Sequence, residues 1–251
     1  MKKTAFITGA TSGIGQATAM LLGKNGYNIV ACGRRADRLD SLKSVLSSET
    51  EIHTLIFDVT AQEAVESAIG SLPPEFQQID ILINNAGNAH GLASFEEGNM
   101  ADWEAMIDIN VKGLLYVSKP IVKQMVARKA GHIINIGSIA GKEAYPNGNI
   151  YCASKHAVDA INSSMRMDLN KYGIKVSQVA PGLVETEFSL VRFKGDEERS
   201  KGVYEKFDAL QAQDIAELIL FMVSRPAHVN LADVLILPNA QASATMVRKG
   251  D

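Results

Sequence analysis

The chain has 251 residues, of which 46% are hydrophobic and 21% are charged, and its formal net charge is −3. These values are typical of one globular domain and indicate no binding to nucleic acid or to an anionic membrane. The first residues lead directly into an apolar run, so we expect no signal peptide, and no stretch is long enough for a membrane span. The two cysteines, Cys32 and Cys152, are far apart, which predicts reduced thiols, no metal site and a cytoplasmic protein.

A glycine-rich turn follows the first apolar run. The run from Thr4 to Thr8 is typical of a buried strand, and helical spacing begins at Ile14. The turn between them has the spacing Gly-x-x-x-Gly-x-Gly and contains Gly9, Thr11, Ser12, Gly13, Ile14 and Gly15. Glycines let the backbone approach a pyrophosphate, and the N–H groups of a helix N-terminus favour an anion. The turn therefore predicts a dinucleotide site, although glycine clusters also occur in ordinary tight turns.

Strand and helix patterns alternate along the rest of the chain. Strands are predicted at 27–33, 51–59, 80–84, 132–138, 175–180 and 234–237. Helices are predicted at 38–46, 65–72, 102–128, 149–172 and 215–224, and Pro120 should kink or divide the third of these. Because no linker divides the chain, we predict a single Rossmann-type α/β domain over 1–251, a doubly wound parallel sheet with helices on both faces. The tail 241–251 is expected to be mobile.

The residues at the end of the second strand favour NADP over NAD. An NAD site usually has an acidic residue about 20 positions after the glycine turn. This chain instead has Arg34 and Arg35 there, and its first carboxylate is Asp37. Two guanidinium groups can bind the 2′-phosphate of NADP, although a solvated basic turn is the alternative. Asp58, after the third strand, suits a hydrogen bond to the adenine amino group or a cap on the next helix.

Tyr151 and Lys155 indicate acid–base chemistry, because residues four apart share one face of a helix. A free tyrosine has a pKa of about 10. An ammonium group about 5 Å away would favour the phenolate by about 3 kcal/mol at an effective dielectric of about 20. Such pairs are also common on helix surfaces, so this motif requires support from elsewhere in the chain.

Three further motifs follow the fourth, fifth and sixth predicted strands, at the sheet edge where ligands bind. They are Asn84-Asn85-Ala86-Gly87, Asn135-Ile136-Gly137-Ser138 and Pro181-Gly182-Leu183-Val184-Glu185-Thr186. Together with the glycine turn, Tyr151 and Lys155, in this order, they resemble the short-chain dehydrogenase/reductase family across nearly the whole chain.

The resemblance implies a role for each catalytic position. Tyr151 matches the general acid/base, and Ser138 matches the hydroxyl that holds the carbinol oxygen. Lys155 matches the residue that lowers the tyrosine pKa and binds the nicotinamide ribose, and Asn110 matches the asparagine that supports a proton-relay water. None of these positions is substituted, which argues against a pseudoenzyme. The family commonly forms tetramers through its two long helices, so we expect a homotetramer built on 102–128 and 149–172.

The resemblance also extends the expected NADP site beyond the glycine turn and the arginines. Residues 85–87 match the adenine-ribose side of the pocket, and Thr186 matches the contact to the nicotinamide carboxamide. Outside the glycine turn, the complete expected site contains Arg34, Arg35, Asp58, Val59, Asn85, Ala86, Gly87, Tyr151, Lys155, Pro181, Gly182, Val184 and Thr186.

Within the family, residues 188–196 and 226–230 resemble the NADP-dependent 3-hydroxy acid dehydrogenases that oxidise serine, allo-threonine and related acids. The long connection after the sixth strand is expected to form a substrate lid over 183–212. Arg192 and Lys194 alternate with apolar residues there, which predicts an extended segment with a cationic face. Arg192 is the first choice to bind a substrate carboxylate, with Lys194 second and a solvated lid edge as the alternative.

Two other functions remain open. A reductase of carrier-bound 3-oxoacyl chains, or another carbonyl reductase of the family, would share the same site. Docking of an acidic carrier favours a basic face, and the near-neutral composition gives no sign of one. A protein that senses NADPH without catalysis is less consistent with the chain, because a sensor has no need of an activated phenol.

Overall fold

Parallel strands occupy the centre of the computed structural model, which describes residues 2–250. Met1 and Asp251, the ends of the expected domain, lie outside the described residues. The strands are β1 Thr4–Thr8, β2 Asn28–Gly33, β3 Ile52–Ile56, β4 Ile81–Asn84, β5 His132–Ile136, β6 Lys175–Pro181, β7 Val184–Glu185, β8 Leu210–Gln211 and β9 Asp233–Ile236. Within the described range, seven strands form one sheet in the order β3-β2-β1-β4-β5-β6-β9, and β7 pairs separately with β8.

Helices cover both faces of this sheet, which confirms the predicted doubly wound α/β fold. They are α1 Gly13–Lys24, α2 Ala36–Leu46, α3 Gln62–Gly70, α4 Met100–Ile107, α5 Leu114–Arg128, α6 Asn149–Asn170, α7 Phe188–Arg192, α8 Glu197–Gly202 and α9 Ala212–Val223. The predicted strands are present with shifted ends: β3 stops early at Ile56 and β5 at Ile136, whereas β6 continues one residue further to Pro181.

The direction of strand addition reverses at β1. This strand pairs with β2 on one side and with β4 on the other, and both pairings are parallel. Connections on the two sides of such a point run away from each other and leave a crevice beyond the carboxyl ends of the strands. The fold therefore brings the motifs after β1, β4, β5 and β6 to one edge of the sheet.

Side chains of β1 alternate between two cores. Ala5 and Ile7 pack with residues of α1, α2 and α9, whereas Phe6 packs with residues of α3, α5 and α6. All three side chains have no exposed surface. Burial on both faces explains why the three central residues of this strand are all apolar instead of alternating between polar and apolar.

The long helical tract is divided at a different place from the one predicted. α5 continues through Pro120, so a division there is wrong. A π-helical turn over Asp108–Gly113 instead separates α4 from α5. A β-carbon at Gly113 would lie 2.7 Å from a methyl group of Val59, so glycine is needed for this close packing. The wider turn also carries Asn110 into the interior, where its side chain is buried.

The tail is held by hydrogen bonds up to residue 250, which contradicts the expected mobility. Gln241 is buried, and its Oε1 accepts a hydrogen bond from the backbone of Leu183 at 2.9 Å. Gln241 also pairs with Val247, and the N–H of Gly250 donates to the carbonyl of Lys206 at 2.7 Å. These partners are in the lid or in the tail itself, so the polar composition alone gave no sign of them.

None of the helices within residues 2–250 is both long enough and apolar enough to cross a bilayer. The same part of the chain contains no group of three His, Cys, Asp or Glu side chains arranged for a metal ion.

Candidate active site

A cavity of about 540 Å³ opens at the carboxyl edge of the sheet. Every residue of the expected cofactor site lines it except Gly15, and every expected catalytic residue lines it except Asn110. Arg192 also lines the cavity, whereas Lys194 does not. The structure therefore brings together residues that are separated by more than 150 positions in the sequence.

The glycine turn is tied to the end of β4. The hydroxyl of Thr8 accepts hydrogen bonds from the N–H groups of Asn85 and Ala86 at 3.0 and 2.9 Å. The side chain of Asn85 donates in return to the carbonyl of Thr8 at 2.9 Å. A β-carbon at Gly15 would lie 2.4 Å from the carbonyl oxygen of Gly9, so Gly15 allows α1 to pack against the turn. Gly15 thus shapes the cavity without lining it.

The two arginines after β2 point in different directions. Arg35 folds over the glycine turn, where its Nη2 donates to the hydroxyls of Thr11 and Ser12 at 3.0 and 2.8 Å. Arg34 donates to Oδ2 of Asp58 at 3.2 Å, and its side chain is 66% exposed. Arg35 therefore occupies a fixed position between the glycine turn and β2, while Arg34 lies at the rim.

Both carboxylate oxygens of Asp58 have partners. Oδ1 accepts from the backbone N–H and the hydroxyl of Thr60 at 2.9 and 2.8 Å, and Oδ2 accepts from Arg34. Burial alone would raise the pKa of Asp58, but the hydrogen bonds from Thr60 and the charge of Arg34 outweigh it and lower the pKa. The contacts to Thr60 shape the approach to α3, and the ionised carboxylate keeps its capacity to accept an amino N–H from a ligand.

Two charged residues that were not predicted as site residues lie at this end: Glu187 lines the cavity, and Arg38 contacts Glu187 without lining it. Glu187, at the start of the lid, accepts from Nη1 of Arg35 at 3.0 Å and from Nη1 of Arg38 at 2.6 Å. Arg35 is the N-cap residue of α2, and Arg38 follows it by three positions in the first turn of that helix. That spacing was the available signal for Arg38, whereas nothing local pointed to Glu187.

Tyr151 lies in α6 beside Ser138, which follows β5. Burial is the largest influence on Tyr151 and raises its pKa, while a hydrogen bond with Ser138 and the charge of Arg192 lower it. In the protein alone, the net shift of the Tyr151 pKa is upward. The phenol therefore needs additional positive charge from bound ligands to act as a base near neutral pH.

Lys155 is buried one helical turn after Tyr151. Its Nζ donates to the carbonyl of Ile136 at 2.9 Å, and burial lowers its pKa to about 8. The ammonium form consequently still predominates at pH 7. A β-carbon at Gly87 would lie 3.5 Å from this Nζ and 2.9 Å from Oδ1 of Asn110, so glycine leaves room for both side chains.

Replacing Lys155 with methionine is expected to raise the free energy of unfolding at pH 7 by about 2 kcal/mol. The lysine pKa falls from 10.5 to about 8 on burial, at about 1.4 kcal/mol per unit, and loss of the bond to Ile136 offsets about 1 kcal/mol. The unfolded chain binds this proton more tightly, so unmodified protein should gain stability between pH 8 and 10.5.

Urea unfolding of the protein without cofactor, at pH 7 and at pH 10, measures this effect. Lys171→Met, at an exposed lysine just after α6, is the control and should leave the stability nearly unchanged. A Lys155→Met protein that is less stable than the original at pH 7 contradicts the prediction.

Asn110 is held from both ends of its amide. Its Oδ1 accepts from the N–H of Asn88 at 2.9 Å, and its Nδ2 donates to the carbonyl of Asn88 at 2.9 Å and to Ser154 at 3.0 Å. The π-helical turn is what brings this side chain to Ser154 in α6. The amide therefore links the segment after β4 to the helix that carries Tyr151 and Lys155.

The lid segment around Arg192 is helical, so the predicted extended conformation is wrong. Arg192 is the last residue of α7, and its Nε and Nη1 donate to the carbonyl of Gly91 and to the hydroxyl of Tyr145 at 3.0 and 3.1 Å. Its guanidinium carbon lies 5.5 Å from the ring centre of Tyr151. Lys194 has a φ of 55° and pairs with Asp102 at 2.9 Å, away from the cavity.

The family follows from a comparison with protein-family models. A model described as short chain dehydrogenase matches residues 3–196, which is most of the chain. The chain belongs to the short-chain dehydrogenase/reductase family. The predicted resemblance is thereby confirmed. The matched region contains most of the parallel sheet, and Ser138, Tyr151 and Lys155 within it line one cavity.

Curated members of the short-chain dehydrogenase/reductase family match the chain over nearly its full length. It is 43% identical over 240 residues to the NADP-dependent 3-hydroxy acid dehydrogenase of Salmonella typhi, covering 95% of this chain and 96% of that one. It is 41% identical over 243 residues to sulfoacetaldehyde reductase 2 of Chromohalobacter salexigens, covering 96% of each. A solved structure of serine dehydrogenase in its closed form, complexed with NADP+, has a TM-score of 0.93 at 39% identity, covering 99% of this chain and 100% of that chain.

A second cavity of about 150 Å³ lies next to the first in this short-chain dehydrogenase. His90, Trp103 and Asn149 line it. Tyr151 and Arg192 line both cavities and so form part of the wall between them. The Arg192 guanidinium therefore lies beside the ring of Tyr151 at the boundary of the two cavities.

Proposed function

We propose that this protein is an NADP-dependent oxidoreductase that transfers a hydride between NADP(H) and the carbinol or carbonyl carbon of a small 3-hydroxy acid, such as serine or allo-threonine. The observation that carries the proposal is the position of Arg192 beside Tyr151, because it adds an anion-binding group to an acid–base site. The 3-hydroxy acid dehydrogenase and the serine dehydrogenase among the relatives support the same substrate class.

The residues present fit NADP(H). Gly9 and Gly13 have φ values of 66° and 50°, so side chains there would be strained and the backbone remains open to a pyrophosphate. Arg34, Arg35, Asp58 and Val59 line one end of the cavity, where the arginines would bind the 2′-phosphate and Asp58 with Val59 would contact the adenine. At the nicotinamide end of the site, Lys155 would bind the ribose and Thr186 would bind the carboxamide. When bound, NADPH supplies the hydride for reduction, and NADP+ accepts it for oxidation.

The protein moves the proton that accompanies the hydride. In reduction, the Tyr151 phenol donates its proton to the carbonyl oxygen while the Ser138 hydroxyl holds that oxygen by a hydrogen bond. In oxidation, the phenolate accepts the proton from the carbinol. The Lys155 ammonium favours the phenolate by its charge. Asn110 is a positioning residue, because its amide is committed to Asn88 and Ser154.

Arg192 orients the substrate through its anionic end. Its Nε and Nη1 hold Gly91 and Tyr145, and no acceptor among residues 2–250 bonds its Nη2. A carboxylate can therefore bind to Nη2 while the guanidinium stays in place. A charge-assisted bond in a cavity closed by the lid is strong enough to select acids over neutral alcohols. The lid over 183–212 excludes water from this contact.

A substrate panel tests the function. NADPH absorbance is followed with NADP+ and serine, allo-threonine or 3-hydroxypropionate, and with NADPH and a neutral 3-oxoacyl thioester. We expect turnover with the acids and little with the thioester, whose acyl end cannot pair with Arg192. Preference for the thioester would favour a 3-oxoacyl reductase, and an absence of turnover with every compound would favour an NADPH sensor.

A sulfonated aldehyde is a second candidate substrate. The relative named sulfoacetaldehyde reductase 2 acts, by its name, on an aldehyde with a sulfonate in place of a carboxylate. Arg192 offers the same charge-assisted bond to either anion. Sulfoacetaldehyde with NADPH, and its alcohol isethionate with NADP+, therefore belong in the same panel, and the larger kcat/KM decides between the two anions.

Replacing both Arg34 and Arg35 with alanine is expected to weaken NADPH binding about thirtyfold and NADH binding less than twofold. The 2′-phosphate is the only group that distinguishes the two ligands, and partly exposed ion pairs contribute about 1 kcal/mol each. Fluorescence titration with both cofactors measures the effect. Arg225→Ala, far along the chain at the end of α9, is the control. Equal binding of NADPH and NADH by the unmodified protein would contradict the NADP assignment.

A cytoplasmic homotetramer completes the proposal. Leu115 of α5 and Met167 of α6 are 43% and 71% exposed, which gives these two helices apolar surface for contact with other subunits. Both cysteines are free thiols, as is usual in the cytoplasm. Light scattering of the purified protein measures the subunit count.

A further inference from the structure

Glu187 spans the two arginines at the expected phosphate end of the cavity. One carboxylate oxygen accepts from Arg35 and the other from Arg38, so the side chain bridges two guanidinium groups. The three side chains are 38–41% exposed, within reach of a ligand that enters from solvent. A bridging anion with one oxygen on each of two arginines has the contact pattern of a bound phosphate.

Arg35 has one donor group left for an anion. Its Nε and Nη2 are committed to the hydroxyls of Thr11 and Ser12, and Nη1 donates to Glu187. A 2′-phosphate that binds Arg35 through Nη1 would bind the same nitrogen atom as the Glu187 carboxylate. Nη1 has two N–H groups, but two anions that share it repel strongly, so each weakens the binding of the other.

Glu187 carries its charge at neutral pH. Burial would raise its pKa, but the hydrogen bonds and charges of Arg38 and Arg35 outweigh burial and lower the pKa. Glu187 is also the N-cap residue of α7 within the lid, and its carbonyl accepts from the N–H of Val191 at 3.0 Å. The competing anion is therefore part of the segment that leads to Arg192.

We propose that Glu187 competes with the cofactor 2′-phosphate for Arg35 and Arg38, and that Arg38 is a further phosphate-binding residue. This inference rests on the proposed NADP(H) dependence. Phosphate binding exchanges two partly exposed ion pairs for bonds to a more highly charged anion. NADH has a 2′-hydroxyl instead of a phosphate, so it leaves Glu187 on its arginines.

Calorimetric titration with adenosine 2′,5′-bisphosphate and with 5′-AMP tests the competition without any turnover. Glu187→Gln is expected to bind the bisphosphate about fivefold more tightly, because the competing charge is gone, and to bind 5′-AMP as before. Glu185→Gln is the matched control, since Glu185 also lies in the lid but contacts Gln211 instead of an arginine. It should bind both ligands like the unmodified protein.

Arg38→Gln tests the second part of the inference. It is expected to bind the bisphosphate about fivefold more weakly, with 5′-AMP unchanged. In an Arg38→Gln background, Glu187→Gln should increase the affinity for the bisphosphate by a smaller factor than in the unmodified background. The reason is that one of the two arginines that Glu187 and the phosphate compete for is then absent.

The outcomes separate this inference from the proposed function. If unmodified protein prefers the bisphosphate over 5′-AMP but Glu187→Gln binds it equally or more weakly, the competition is refuted and NADP dependence stands. An Arg38→Gln protein with unchanged affinity refutes the role of Arg38. If unmodified protein shows no preference for the bisphosphate, both the NADP assignment and this inference fail.

Discussion

Replacing Tyr151 with phenylalanine is expected to lower kcat by about a thousandfold or more and to leave NADPH binding nearly unchanged. General acid–base catalysis by a positioned side chain contributes about a hundredfold to ten-thousandfold, and phenylalanine has no proton to transfer. The ring still packs on Phe188, whose centroid lies 5.6 Å from that of Tyr151. Steady-state rates and fluorescence titration with NADPH measure the two quantities separately.

Tyr172→Phe, just beyond the C-terminal end of α6, is the matched control and should keep full activity. In unmodified enzyme, the oxidation rate should rise with pH as the phenolate accumulates. The pH of half-maximal rate then reports how far Lys155 and the bound cofactor offset the burial that raises the Tyr151 pKa. Appreciable turnover by Tyr151→Phe would remove this residue from the proton-transfer role.

Replacing Arg192 with methionine is expected to lower kcat/KM about a hundredfold for a hydroxy acid and only slightly for its neutral amide. Loss of a charge-assisted pair to a substrate held away from water costs about 2–4 kcal/mol, and the amide never forms that pair. Methionine keeps much of the side-chain volume next to Tyr145. The two kcat/KM values, measured with the same variant, provide the comparison.

Lys194→Met is the control for Arg192, because Lys194 lies two positions later in the lid, lines neither cavity and pairs with Asp102 in the lining of the second one. Lys194→Met should change kcat/KM for the acid and for the amide by the same small factor. An equal loss on the acid and on the amide in Arg192→Met would show that Arg192 shapes the lid through Gly91 and Tyr145 and does not bind the substrate anion.

Local patterns in the sequence determined most of the fold and the greater part of the candidate site. The strand Thr4–Thr8 and the helix that starts at Gly13 follow from side-chain periodicity, and the turn between them follows from glycines with positive φ. Tyr151 and Lys155 share one face of their helix, wherever that helix lies in the fold. Such features depend on neighbours within a few residues, which is why they can be read without coordinates.

Contacts between distant residues decided the rest. The tract around Pro120 is divided instead at the π-helical turn, where Gly113 packs on Val59. Burial raises the pKa of Tyr151 in the protein alone, and that burial depends on how α6 packs in the fold. A hydrogen bond to Gly91, 101 positions away in the sequence, orients the Arg192 side chain, and Glu187 pairs with Arg35, which is 152 positions away. The sequence showed which charges exist, but their partners depend on how the lid packs over the sheet edge, and no local periodicity encodes that packing.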